Sequence, residues 1–459
     1  MQTFHPITRM PKLGYVFFLG ACMLNACAQL DKQFEKFANA AQTKQASVVA
    51  INLGGADFTA TDGTIFLAGA PFADGGEFGC TDKVLGTPDA LLYKSFRAGA
   101  FEVAIPMVNG LYDVTIYYTE PLKKEDDEAP GAIIEVALEG NVVLSSFHVP
   151  THKINKAGAR TFARVKVADG SLEMGFSPRR GTAKINAVLI RPHVKADLSV
   201  YQLLWADEFD TDGAPDPEQW NTLLWDARKV NDEDQTYTDF PRNVRVENGR
   251  LIIEAHHEKY NNAEYTSARL TSEGHDDLLY GRIEVRAKLP IGQGTWPAIW
   301  LYPTDDRRYA DENCTLNPWE DICPGWPNSG EIDIMEHVGH DPGVVHSTIH
   351  TKAYYWINGL QRNGTVQLDD PGQDFHTYAI NWHPDRLNVF FDDSLYFTYL
   401  KEPDADWQTW PFDHPYHVIL NLAIGGWWGR GDVGIDDAVL PQRLEIDYVR
   451  VYQRREDAQ

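Results

Sequence analysis

The sequence predicts an all-β chain, a smaller β-sandwich followed by a larger one. Three observations carry this. Short runs of alternating apolar and polar residues recur along most of the 459 residues, the period of half-buried strands. Turn signals such as Asn109-Gly110, Glu139-Gly140-Asn141 and Asp169-Gly170 separate them. The 3.6-residue period of amphipathic helices is nearly absent.

In chain order, residues 1–26 read as an export signal: Arg9 and Lys12 supply positive charge ahead of the short apolar run 13–24. That run is too short to span a bilayer comfortably, and no later segment has the apolar length needed. Residues 27–46, rich in Lys, Gln, Ala and Asn, read as a polar tether. From 47 to 192, strands are expected at 48–53, 101–107, 112–118, 133–138, 163–167 and 185–190, the spacing of an antiparallel sandwich. Residues 193–200 read as a linker. The second body, 201–454, carries expected strands at 244–246, 251–255, 280–288, 298–301, 330–337, 345–351, 375–382, 386–391, 417–424 and 443–453. Roughly 250 residues of short strands suit one large sandwich.

Within that body, Gly330-Glu331-Ile332-Asp333-Ile334-Met335-Glu336-His337 places three carboxylates in six residues of a strand-forming segment. On a regular strand Glu331 and Asp333 share a face, while Glu336, an odd number of steps away, points to the other. A one-residue bulge near Ile334-Met335 brings all three together. Such a cluster reads as a solvated strand face, as a cation site, or as the paired carboxyls of a retaining glycosidase, which stand roughly 5 Å apart.

Composition narrows the partners. The formal net charge of −25 argues against nucleic acid, whose phosphates need a basic surface. Thirteen Trp, 20 Tyr and 21 Phe allow sugar-stacking surfaces besides core. Of five cysteines, Cys22 lies in the signal, and Cys314 and Cys323 stand close together in a Pro- and Asp-containing stretch where export makes a disulfide plausible. Cys80 is most simply a buried thiol. No Cys/His spacing reads as structural zinc.

Leu24-Asn25-Ala26-Cys27 resembles a bacterial lipoprotein cleavage box, which implies Cys27 as the acylated first mature residue. Gln29 in place of Asp two residues on implies no inner-membrane retention. The expectation is a lipoprotein of the outer membrane or cell surface of a Gram-negative bacterium, with periplasmic or secreted protein as the alternative. Residues 47–192 resemble malectin-like carbohydrate-binding domains through Ile51-Asn52-Leu53-Gly54-Gly55, Leu92-Tyr93-Lys94-Ser95-Phe96-Arg97 and Asn109-Gly110-Leu111-Tyr112-Asp113-Val114.

Residues 201–454 resemble glycoside hydrolase family 16, and within it laminarinase-like endo-β-1,3-glucanases. The resemblance rests on collinear phrases: Trp205-Ala206-Asp207-Glu208-Phe209-Asp210, Asn243-Val244-Arg245-Val246-Glu247-Asn248-Gly249, Tyr265-Thr266-Ser267-Ala268-Arg269-Leu270, Gly294-Thr295-Trp296-Pro297-Ala298-Ile299-Trp300, the acidic run, Leu420-Asn421-Leu422-Ala423-Ile424-Gly425-Gly426 and Glu445-Ile446-Asp447-Tyr448. It implies a β-jelly roll with the cleft across the concave sheet. It implies Glu331 as nucleophile, Glu336 as acid/base and Asp333 as their helper. It also implies substrate contacts from Trp296, Trp300, His350, Asn243, Arg269, Asn421 and Trp427, and a structural calcium at Glu208, the Gly249 carbonyl and Asp447. No catalytic cofactor is implied, and the protein is expected to act as a monomer.

The spacing with Met335 separates the chain from the lichenase branch and is shared with marine galactanases. The leading expectation is a retaining endo-hydrolase of β-1,3-glucan. The alternatives are a hydrolase of mixed-linkage glucan, agar, porphyran or carrageenan, and a non-catalytic glucan receptor. Two departures from the family phrases stand out: 230–237, and an insertion over 304–325, whose Trp319, with Trp326 just after it, is expected to extend or roof the cleft.

Overall fold

Alternation along the second half of the chain resolves into two stacked sheets. The computed structural model describes residues 48–455, apart from 70–71, 82–83, 120–132, 149–156, 182–183, 194, 276, 311–324, 358–359 and 369–371. Cys27, Cys314, Cys323 and Trp319 lie outside the described residues. Among the described residues no helix is long and apolar enough to cross a membrane.

The inner sheet of the second body runs Asn221–Thr222, Arg269–Thr271, Tyr416–Ile424, Thr295–Pro303, Glu331–His337, Val344–His350, Arg362–Gln367. The outer sheet includes Leu251–Tyr260, Gln442–Arg454, Gly281–Lys288, His376–His383, Arg386–Phe391 and Ser394–Leu400. Between them lies one apolar core in which Ile253, Ile283, Val285, Ile299, Ile332, Val345, Trp382 and Leu420 are buried. Each such aliphatic side chain contributes roughly 1.5–3 kcal/mol by leaving water. With one face of each inner strand committed to this core, the opposite faces line a concave surface. The fold is all-β, a jelly-roll sandwich preceded by further β structure.

The N-terminal residues form a second sandwich. One sheet runs Ala157–Val167, Gly110–Thr119, Ala187–Pro192, Val49–Asn52, Ile65–Ala68, Phe58–Thr59, and the other is built around Ser95–Pro106 and Ser171–Arg180. It is not wholly antiparallel as expected, because Val49–Asn52 and Ile65–Ala68 pair in parallel. Cys80 is exposed, a correction to the buried thiol expected: it ends a strand, Ala73–Cys80, whose residues are mostly outside the core.

The two sandwiches share a sheet. Arg362–Gln367, at one end of the concave sheet, pairs in parallel with Ala157–Val167, with Thr365 opposite Arg160 and Val366 opposite Thr161. The Thr365 hydroxyl donates to the Ala159 carbonyl at 2.7 Å. Nor does the segment expected as a linker hang free: His193 Nδ1 sits 3.3 Å from Asp113 Oδ1 and 3.1 Å from Ser394 Oγ, tying both bodies together. The joint covers a strand edge that would otherwise present unpaired amides to solvent.

Candidate active site

The acidic strand carries the bulge its spacing calls for. Ile299 opposes Met335 and Trp300 opposes Asp333, so Ile334 has no opposite residue on that side. On the other side Asp333 opposes Thr348 and Glu336 opposes His346, again with a register shift between them. Ile334 and Met335 are both fully buried in the core. The bulge thus sends Ile332, Ile334 and Met335 inward and leaves Glu331, Asp333 and Glu336 on the concave face. Its carbonyls are satisfied by side chains: Ser347 Oγ donates to Asp333 O at 2.6 Å and Tyr396 OH to Ile334 O at 3.2 Å. Gly330, at φ 88°, starts the strand where a β-carbon would collide with the Tyr416 hydroxyl.

Two tryptophans hold the outer acids. Trp326 Nε1 donates to Glu331 Oε2 at 3.2 Å, and Trp296 Nε1 to Glu336 Oε1 at 3.1 Å. His350 Nε2 lies 3.4 Å from Asp333 Oδ2 and 3.7 Å from Glu331 Oε1. Burial, and next the charge of Asp333, pushes Glu331 up to about 8, with His350 opposing. Burial also raises Asp333 well above the usual carboxylate range. Two carboxyls this close in a dry setting share one proton as a pair. Glu331, Asp333 and His350 bring ligand atoms within 4.8 Å of one another, the one such group among the described residues. The donors aimed at Glu331 suit a charged carboxylate beside a shared proton. His337, on the core side of the same strand, is pushed down to about 4 by burial and stays neutral.

Beyond the acids, Arg269 is stacked between Trp225 and Trp300, 4.3 and 4.7 Å from their rings. Trp300 Nε1 donates to Asn421 Oδ1 at 2.8 Å, and Asn421 Nδ2 donates to Tyr237 OH at 3.2 Å. Trp428 packs edge-on to Trp296 at 5.5 Å and to His346 at 4.9 Å, while neighbouring Trp427 is exposed. The structure therefore gathers Trp296, Trp300, His350, Arg269 and Asn421 around the concave face.

Asn243 is a correction. It is 0% exposed, and its amide bonds Thr238, Thr266 and the Glu254 carbonyl, so it braces the scaffold and is closed to any ligand. The expected calcium set also fares differently. Both Glu208 oxygens accept from Arg450 and Asp447 accepts from Arg286, so the acids are already neutralised. As arranged, they do not fit a cation without breaking both pairs.

Several groups escaped the sequence reading. Glu233, 5% exposed, accepts from Asn231, Gln235 and Tyr237, and burial raises its carboxyl. Arg430 forks onto Asp234 (2.8 and 2.7 Å) and reaches Asp232 Oδ2 at 2.7 Å. This clamp fastens the Trp427-Trp428 turn to the 231–234 segment. The available signal was the departure of 230–237 from the family phrase, where two extra acids stand without an evident partner.

Residues 231–450 match the family described as Glycosyl hydrolases family 16. A β-glucanase of Rhodothermus marinus is 44% identical over 310 residues, covering 66% of this chain and 98% of that protein. The chain belongs to glycosyl hydrolase family 16. Among solved structures, the R. marinus laminarinase aligns with this family 16 hydrolase at TM-score 0.50 and 46% identity, over 55% of this chain and 97% of that one. SCLam, a non-specific endo-β-1,3(4)-glucanase, aligns at TM-score 0.51 and 42% identity, over 58% and 95%. Membership makes the chain a glycoside hydrolase on an all-β fold, of a family that needs no catalytic cofactor.

Proposed function

We propose that this family 16 hydrolase is a retaining endo-hydrolase of β-1,3-glucan acting by double displacement. The observation that carries the mechanism is the bulged strand, with Trp326 donating to Glu331 at one end and Trp296 to Glu336 at the other. Glu331 attacks the anomeric carbon while Glu336 gives its proton to the departing glycosidic oxygen, and a covalent glycosyl-enzyme forms. Glu336, now ionised, takes a proton from water; the hydroxide oxygen displaces Glu331 from the anomeric carbon, and configuration is retained. His350, beside both carboxyls, favours the ionised form of Glu331 when the shared proton rests on Asp333. Trp296, Trp300, Arg269 and Asn421 offer the aromatic and polar contacts a glucan requires. The β-glucanase and laminarinase relatives support glucan over galactan.

The remaining roles belong to the same reading. Cys27 carries the lipid, the protein is displayed at the outer membrane or cell surface, Cys314 and Cys323 are bridged, and the N-terminal sandwich is a malectin-like carbohydrate-binding module on a monomer. Mass spectrometry of the mature N-terminus checks the lipid. The substrate test is release of reducing ends from laminarin, lichenan, agarose and carrageenan. Laminarin is expected to be cleaved fastest; release from a galactan alone overturns the assignment.

A further inference from the structure

Two of the most exposed aromatic side chains in the second body touch each other. Trp356 is 41% exposed and Trp427 39%, and their ring centroids lie 5.4 Å apart at an interplanar angle of 54°. They come from opposite ends of the catalytic strand. Trp356 follows Tyr355, whose ring packs edge-on to Trp326, the donor to Glu331. Trp427 precedes Trp428, whose ring packs edge-on to Trp296, the donor to Glu336. The bulge takes up one of the five steps, so Glu331 and Glu336 stand about four steps apart, roughly 13 Å at 3.3 Å per residue. Side chains rooted beside the two ends meet only by leaning toward one another across the concave face. Their exposure puts them on its solvent side, above the buried acids.

Both anchors are firm. The Trp427 amide donates to the Asn231 carbonyl at 3.0 Å, and the turn is clamped by Arg430 on Asp232 and Asp234. On the other bank, the Ala353 amide donates to the Gln408 carbonyl at 2.9 Å, and the Tyr354 amide to the Thr351 carbonyl at 3.1 Å. Two large apolar rings this exposed, on a backbone tied at nearby residues, suit a ligand-facing role.

We propose that Trp356 and Trp427 form an aromatic clasp across the cleft, which passes an unbranched glucan strand and rejects one carrying 6-O-glucosyl branches. This rests on the β-glucan reading above. A linear chain offers its flat sugar faces to the rings. A branch on a primary hydroxyl adds a whole sugar ring to the edge of the chain, and rings already in contact at 5.4 Å have to part to admit it. The clasp is thus a specificity device separate from the acids that break the bond.

The test compares wild type, W356A, W356F, W427A and W356A/W427A. The first readout is the far-ultraviolet exciton couplet between tryptophans: its amplitude should fall by the same amount in W356A, W427A and the double variant, leaving the part due to pairs such as Trp296 and Trp428. The second is the ratio of kcat/KM on linear β-1,3-glucan to that on the same backbone with single 6-O-glucosyl branches. Wild type should favour the linear chain by about tenfold, W356A by less than about threefold, and W356F should keep most of the preference. Non-additive effects in the double variant mark the two rings as one unit. A couplet unchanged in W356A, or one reduced in W356A with the ratio unchanged, overturns the clasp. If the enzyme cleaves a galactan and no glucan, the functional reading fails on its own, and the same ratio on unsubstituted and 6-substituted galactan decides the clasp.

Discussion

Replacing Glu331 by Gln should abolish a loss of stability at high pH that the active site itself creates. Burial and the neighbouring Asp333 raise the Glu331 carboxyl from 4.5 to about 8. The folded protein therefore keeps a proton that the unfolded chain releases at lower pH. A raised group stabilises fully below its unfolded value, and the effect is lost as pH rises through the folded value; the window here is about pH 4.5 to 8. At about 1.4 kcal/mol per tenfold change in proton concentration, a rise of this size corresponds to ~5 kcal/mol in a dry site. The Glu331 side chain is 15% exposed and faces the cleft, so solvent screening lowers the figure to about 2–3 kcal/mol. E331Q carries no charge to bury. It should melt with wild type at pH 5 and roughly 5–10 °C above it at pH 8.5. Thermal unfolding followed by near-ultraviolet circular dichroism from pH 5 to 8.5 measures this, with D333N as the companion variant. Parallel melting curves for wild type and E331Q across that range would refute the buried, proton-sharing pair. The same variant should have no turnover, which is the trade between function and stability expected of an active-site charge.

Deleting Met335 removes the bulge, and regular alternation over the remaining four steps keeps Glu336 on the concave face with Glu331. Activity should stay within about tenfold, and a reducing-end assay showing a loss of about a thousandfold, as for removal of a general acid, would refute alternation as the reason the acids share a face. Arg430→Ala leaves Asp232 and Asp234 without their clamp and loosens the turn bearing Trp427 and Trp428. KM should rise roughly tenfold with a smaller change in kcat, and an unaltered KM would separate that clamp from substrate binding. A chain starting at residue 198 uncovers the Arg362–Gln367 edge. Its melting temperature should drop by roughly 5 °C or more, with aggregation that grows with concentration, whereas a stable monomer would show that the joint is dispensable.

Legibility followed physical range. The acids were legible because a bulge is a local event: an odd count between Glu331 and Glu336, with Ile334 and Met335 both apolar, leaves one arrangement that buries the apolar pair and exposes the acids. Trp296, Trp300, Arg269 and Asn421 were legible through phrases in which neighbours constrain one another. Asn243 misled for the same reason. A phrase marks a residue as part of the architecture, but whether its amide faces a cleft or the scaffold depends on strands distant in sequence. Cys80 misled because an edge strand lacking an apolar face gives a thiol nothing to be buried against.

By itself the sequence determined the all-β class, the order of the two sandwiches and the acidic strand with its bulge. All of these follow from periodicity and turn chemistry within a few residues. Tertiary structure alone decided that Ala157–Val167 completes the concave sheet, that His193 is a fastening, and that Arg430 answers the acids at 232 and 234. It alone brought Trp356 against Trp427. Strand pairing and ring contact join residues from about seventy to two hundred positions apart, where nothing in local propensity specifies the partner and only closure of the sheets does.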